Sequence, residues 1–95
     1  MVSATGEIRA VWSGRDGTSI YVELERVEGT GRPRRYAVKM ENNDKVRFTL
    51  ADGRALVGHE VTLGFEPYVA RDTARNTSWQ GFGDGVVLAT NGKAV

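Results

Sequence analysis

The sequence predicts an all-β domain, a small five- to six-stranded antiparallel barrel spanning residues 1–95. Three observations carry that expectation. Apolar residues recur at every second position in several runs, the period of a strand with one buried face. Short clusters of Gly, Asp, Asn and Pro, the residues of tight turns, separate the runs. No stretch sustains a helical repeat, and five or six strands in so short a chain hide their edges best by closing on themselves.

Glu7 to Ser13 alternates, which puts Ile8, Ala10 and Trp12 on the inner face and Glu7, Arg9 and Val11 on the other. Ser13-Gly14-Arg15-Asp16-Gly17 interrupts it, and Asp-Gly is a strong hairpin signal. Thr18 to Val27 is the second strand, with Ile20, Val22 and Leu24 inward and Tyr21, Glu23 and Glu25 outward. A turn over Glu28–Pro33 leads to the third strand, Arg34 to Met40, with Tyr36, Val38 and Met40 inward. Pairing these two strands as a hairpin sets Glu25 near Ala37 and Glu23 near Lys39, an ordinary cross-strand arrangement of charge.

Glu41–Asp44 is a polar turn, and Lys45 to Leu50 alternates again with Val46, Phe48 and Leu50 inward. Asp52-Gly53 reads as another turn. Ala55–Glu60 fits a short strand or a loop, and the only room for a short helical turn is near Asn42–Asp44 or Ala51–Val57. Val61 to Val69 is a long strand with Val61, Leu63 and Phe65 on one face; Pro67, which has no N–H to donate, marks an edge or an end. Val86 to Thr90 is the last strand, and Asn91–Val95 reads as a frayed tail. Between them Val69 to Gly85 has no strand or helix pattern and reads as a long loop, a kind of segment that is usually functional when a small domain carries one.

Composition narrows the class. The content of 40% hydrophobic and 26% charged residues is that of an ordinary folded domain. A formal charge of +1 neither demands nor excludes a polyanion. With no cysteine there are no disulfides and no thiolate sites. The N-terminal stretch has no basic region leading into an apolar run, so no signal peptide is expected, and no apolar stretch reaches the length of a membrane span. The reading is a cytoplasmic protein without a membrane partner. The Asn76-Thr77-Ser78 sequon carries no weight without secretion.

The order of features resembles an OB-fold, with an SH3-like barrel as the related alternative. The likeness rests on Gly6-Glu7-Ile8 opening a first strand, Tyr21-Val22-Glu23-Leu24 in the second, Tyr36-Ala37-Val38 ending the third, and Val57–Leu63 approaching a fourth before the long loop. The helix usual between the third and fourth strands is missing or replaced by Lys45–Leu50. A more local likeness, of Val46–Gly58 to the first half of an Sm-type motif, fails in register and reads as a generic Asp-Gly hairpin.

In an OB-like barrel the loop joining strands one and two lies near the loop joining strands four and five. Here those loops bring Trp12 and Arg15 toward Arg71, Arg75, Asn76, Trp79 and Phe82. Single-stranded nucleic acid is held by aromatic faces that stack on bases and by cations that follow the backbone. The expected nucleic-acid-binding set is therefore Arg15, Arg35, Arg71, Arg75, Asn76, Trp79 and Phe82, for single-stranded DNA or RNA, with Gly81, Gly83 and Gly85 allowing close approach. Trp12, on the inner face, reads as core. Trp79 and Phe82 have two roles open to them, as stacking surfaces or as a lid folded onto the barrel. The basic run Arg32, Arg34, Arg35 and Lys39 reads as a solvated face shared with Glu23 and Glu25.

No catalysis is expected. His59 is the only histidine, Asp16, Asp52 and Asp84 each precede a glycine and so serve turns, and Ser78 lies in no nucleophile motif. No metal-ligand spacing or phosphate-cradling loop calls for a cofactor. Two other functions compete with nucleic acid. One is a protein-interaction or self-associating module, favoured by near-neutral charge, Tyr21, Tyr68 and an edge near Pro67. The other is a small-molecule site at the barrel mouth, lined by Trp79 and Phe82.

Overall fold

A computed structural model of the chain describes residues 1–28 and 32–95. The strands are β1 (Val2–Ser13), β2 (Ile20–Glu28), β3 (Arg32–Met40), β4 (Glu60–Asp72), β5 (Thr77–Thr90) and β6 (Lys93–Ala94), with one helix, α1 (Leu50–Leu56), between β3 and β4. The sheet order is β3-β2-β1-β4-β5-β6, and β3 also pairs with β5, which closes the first five strands into a barrel with β6 as an addition. That closing pair is parallel, Val38 opposite Phe82 and Met40 opposite Gly85, so the barrel is mixed and not purely antiparallel as expected. Of the expected turn over Glu28–Pro33, Gly29, Thr30 and Gly31 lie outside the described residues.

β1 holds the two halves together because it changes partners midway. Residues 2–7 pair with β4 and residues 7–13 with β2. Gly6 sits at the change: a methyl there would run into the backbone carbonyl of Glu25. A bulge follows. Ile8 faces Leu24 and Ala10 faces Glu23, so Arg9 has no counterpart. The extra residue reverses the alternation, since side chains switch faces at every position. Val11 then turns inward and packs on the core, while Trp12 turns outward and is 39% exposed. The expectation of Trp12 as core is thus overturned by one unpaired residue.

The core is what the period-two pattern of the other strands requires. Ile8, Val22, Leu24, Val38, Val61 and Leu63 are fully buried, joined by Ala4, Met40 and Phe65. On β3, β4 and β5 the rings of Tyr36, Phe65 and Phe82 meet with centroids 5.3–5.5 Å apart, the tilted and edge-on arrangements that the ring quadrupoles favour.

Three further elements differ from expectation. Lys45–Leu50 is not a strand. The Asp52-Gly53 pair that follows is not a turn but lies inside α1, where Thr49 is the N-cap: the Thr49 hydroxyl accepts from the Asp52 N–H at 3.1 Å while the Asp52 carboxylate accepts from the Thr49 N–H at 2.8 Å. This reciprocal capping box starts a helix. Gly53 lets that helix press onto β1, since a methyl there would lie 2.5 Å from Val11 Cγ1. At the other end of the chain, Asn91 and Gly92 take positive φ (51° and 80°) and fold β6 back onto β5, so this segment is a hairpin and not a frayed tail. Positive φ at two successive residues is what a two-residue hairpin turn needs, and Asn-Gly supplies it cheaply.

The third and largest difference is the stretch 69–85. It is not a loop. β4 continues to Asp72 and β5 begins at Thr77, and the two pair without interruption from Glu66–Gly83 to Asp72–Thr77. The connection is a four-residue turn, 73–76, in which the Asp72 carboxylate accepts from the N–H groups of Ala74 (3.1 Å) and Arg75 (3.2 Å) and Asn76 takes φ 49°. β1 stops pairing with β4 at Phe65 and β3 reaches β5 only as far as Phe82. Beyond those points, among the described residues, the two strands pair only with each other and form a projecting arm. The radius of gyration, 13.7 Å, exceeds the roughly 12 Å typical of a compact chain of this length.

Candidate functional site

The arm carries most of the residues singled out in the sequence. Directly opposed residues share a face, so Tyr68, Ala70 and Asp72 stand with Gly81, Trp79 and Thr77, while Pro67, Val69 and Arg71 stand with Phe82, Gln80 and Ser78. Trp79 is 55% exposed and Tyr68 44%. Both aromatics therefore present open faces on one side of the arm. The Tyr68 ring leans over Gly81 and Gly83, and at residue 81 only a glycine leaves it room. Trp79 is not folded back as a lid.

Phe82 belongs elsewhere. It is partly buried and packs edge-on against Tyr36 and Phe65, on the face opposite Trp79. Trp79 and Phe82 accordingly do not line a common small-molecule site, and Phe82 offers no free stacking face.

The arginines separate into three places. Arg71 is the last residue but one of β4 and Arg75 and Asn76 lie in the turn, so these three gather at the arm's tip. Arg75 approaches the Asp72 carboxylate at 3.7 Å. Arg15 is exposed in the β1–β2 turn. Arg35 is on the barrel wall, where its Nε donates to Glu25 at 3.0 Å and lies 4.0 Å from Glu23. The β2–β3 register sets Glu25 opposite Arg35, Glu23 opposite Ala37 and Tyr21 opposite Lys39, two residues from the expected pairing. Arg35 is thus paired with the glutamates of that wall, as a face of mixed charge requires.

That wall contains the residues that sequence reasoning missed. Trp12, turned outward by the bulge, stacks on Tyr21 with centroids 5.8 Å apart and planes 8° from parallel. Lys39 is the next residue across the sheet. Lys39 and Tyr68 both line a cleft of about 850 Å³ between the β1–β2 turn, the end of β3 and the base of the arm. A row therefore runs from Trp12 and Tyr21 through Lys39 to Tyr68 and Trp79. The bulge left no mark in the sequence. The arm did: Gly81, Gly83 and Gly85 recur at every second residue, a strand period.

The cleft has an acidic lining. Asp16, Glu41, Glu66 and Asp84 contribute carboxylates against the single lysine, Lys39, and the amino group of Met1 approaches Glu66 at 3.1 Å. Asp16 is held by its own turn. It accepts from the Ser19 hydroxyl at 2.6 Å and from the N–H groups of Ser19 and Thr18 at 2.8 and 3.0 Å, which keep its carboxyl well below the usual range. Asp84 is not in a turn as expected. It is the αL residue (φ 51°) of a bulge in β5, where Gly64 opposes Val86 but Glu66 opposes Gly83.

His59 has a structural partner, its Nδ1 lying 3.1 Å from Nδ2 of Asn91. Among the described residues no group of three His, Asp or Glu is arranged to hold a metal, and no helix is long and apolar enough to cross a membrane. Comparison with known proteins returns nothing at significance: no family model, no curated protein and no solved structure matches the chain.

Proposed function

We propose that the chain is a non-catalytic binding module of OB-like type that takes single-stranded DNA or RNA along the row from Trp12 to Trp79. The observation that carries this reading is the exposure of Trp79 and Tyr68 together on one face of the arm, with Arg71 and Arg75 at its end. Bases of any sequence stack on such faces, and nearby cations follow the backbone. The stacked Trp12–Tyr21 pair extends the surface onto the barrel wall. The OB-like assignment is supported by the five-strand closure through a parallel β3–β5 pair and by a helix between β3 and β4. In barrels of that type the face of strands two and three and the flanking loops receive oligonucleotides.

The acidic cleft beneath Lys39 restricts the path. A phosphate chain is favoured along the arm's outer end and the wall, with bases and not phosphates turned toward the carboxylates. Titrating a labelled oligothymidylate or oligouridylate at low salt tests the reading. Binding should weaken as salt rises, and Trp79→Ala should weaken it about 5- to 150-fold, the equivalent of ~1–3 kcal/mol of stacking. Absence of binding at tens of micromolar protein would overturn it.

A further inference from the structure

The arm has a charge order along its length. Arg71 and Arg75 stand at the tip with one carboxylate, Asp72. Exposed apolar side chains, Tyr68, Val69 and Trp79, occupy the middle on both faces. The base opens onto the cleft, where Glu66 and Asp84 join Asp16 and Glu41 against Lys39 and the Met1 amino group, an excess of carboxylates. A two-stranded ribbon open to water on both faces is marginal by itself, and these apolar side chains gain nothing from exposure.

We infer that the arm is an interaction surface for a second copy of this chain, paired antiparallel about a two-fold axis through the middle of the arm. Such an axis exchanges tip and base. Arg71 and Arg75 of each copy then meet the carboxylates of Glu66, Asp84, Asp16 and Glu41 of the other, and the aromatics of both copies meet at the centre. The contact is self-complementary and closes as a dimer. A parallel pairing of the arms would set tip on tip and cleft on cleft, opposing like charges. Exposed ion pairs contribute little energy. In this arrangement the charges fix direction and register, and burial of Trp79 and Tyr68, which share one face, supplies the attraction. The inference stands apart from nucleic-acid binding, because it follows from the charge order and not from any polyanion. If both hold, a strand and a second copy compete for Trp79.

Sedimentation of the full chain from 1 to 500 µM at low salt tests it. The expected result is a reversible monomer–dimer equilibrium that weakens with salt. Arg71→Glu with Arg75→Glu, and separately Glu66→Lys with Asp84→Lys, should each weaken the homodimer at least tenfold. Mixing the two variants should restore a heterodimer. Circular dichroism verifies folding, and Arg71→Gln with Arg75→Gln, expected to weaken the dimer at least threefold, replaces the first variant if it does not fold. A chain that stays monomeric at 500 µM, or charge-reversed variants that dimerise like the parent, or a mixture that stays monomeric, would overturn the inference. A monomeric chain that still binds oligothymidylate overturns this inference alone; a dimer that binds none overturns only the nucleic-acid reading.

Discussion

The phenol of Tyr68 lies across Gly81 so closely that a methyl group at residue 81 would fall 2.6 Å from its hydroxyl oxygen. A bare glycine on β5 therefore fixes the position of an aromatic ring on β4, and the exposed face of the arm depends on both. Gly81→Ala is expected to displace the ring while leaving the barrel core, which lies beyond the arm's base, intact. The melting temperature should change by only a few degrees and oligothymidylate affinity should fall. Unchanged affinity would remove Tyr68 from the surface.

Gly85, unlike Gly81, bears on the stability of the barrel itself. A methyl there would meet Val38 Cγ1 at 2.6 Å and Met40 Sδ at 2.8 Å, with the Lys39 carbonyl at 3.2 Å. These atoms belong to β3 and the core, so Gly85→Ala forces apart the parallel pair that closes the barrel. Overpacking of this kind costs about 1–3 kcal/mol. For a domain of this size each kcal/mol lowers the melting temperature by roughly 4–8 °C. Thermal denaturation measures it directly.

Its neighbour Asp84 should respond in the other direction. With φ at 51°, Asp84 occupies a region that costs an L-residue roughly 1–2 kcal/mol, less for aspartate than for most. Asp84→Gly should raise stability by ~1 kcal/mol in urea unfolding. The same change removes one carboxylate from the cleft, so the dimer proposed above should become weaker as the monomer becomes more stable.

The start of α1 rests on one reciprocal pair. Thr49→Ala removes the hydroxyl that accepts the Asp52 N–H, and loss of such a cap costs about 1 kcal/mol. Chemical denaturation should show a lower midpoint with an unchanged slope. Restoring a cap with Thr49→Ser should recover most of the loss.

Acid sensitivity follows from two aspartates. The hydroxyl and N–H of Ser19, with the N–H of Thr18, hold Asp16 below its ordinary value, and the N–H and hydroxyl of Thr49 do the same for Asp52. Both are more acidic folded than unfolded. Their contribution is complete above the unfolded value, near pH 4, and is lost as pH falls through the lower folded values. Urea midpoints should therefore decline below about pH 4. Asp16→Asn should lower stability at neutral pH and make that decline shallower. Parallel curves for the two proteins would contradict this.

Much of the barrel was legible because burial on one face imposes a period of two. Ile20, Val22 and Leu24, then Val38 and Met40, then Val61, Leu63 and Phe65 were placed inward from the sequence and are buried. Pro67 marks an edge or a strand's end in the sequence; it lies just past the last β1–β4 pair, and it is not the end, because β4 runs on to Asp72. The helix and final hairpin carried signals of their own, Thr49 three residues before Asp52 and the Asn91-Gly92 dipeptide. The short helical turn that the sequence allows at Ala51–Val57 is α1, Leu50–Leu56, whereas the alternation of Val46, Phe48 and Leu50 suggested a strand that does not form.

The candidate surface was legible in composition but not in shape. Trp79, Arg71, Arg75 and Asn76 were singled out, yet on a loop that is in fact a two-stranded arm. A ribbon exposed on both faces has no apolar side, so it leaves no apolar alternation to read, only the every-second-residue spacing of Gly81, Gly83 and Gly85. By itself the sequence determined an all-β chain, its inward residues and its Asp-Gly turn at residues 16 and 17. Only the tertiary structure decided that Trp12 faces outward, that β3 meets β5 in parallel, and that residues 69–85 project. Each of these depends on pairing between strands far apart in sequence: one unpaired residue at Arg9 reverses a face, and the free ends of β4 and β5 exist because β1 and β3 stop short of them.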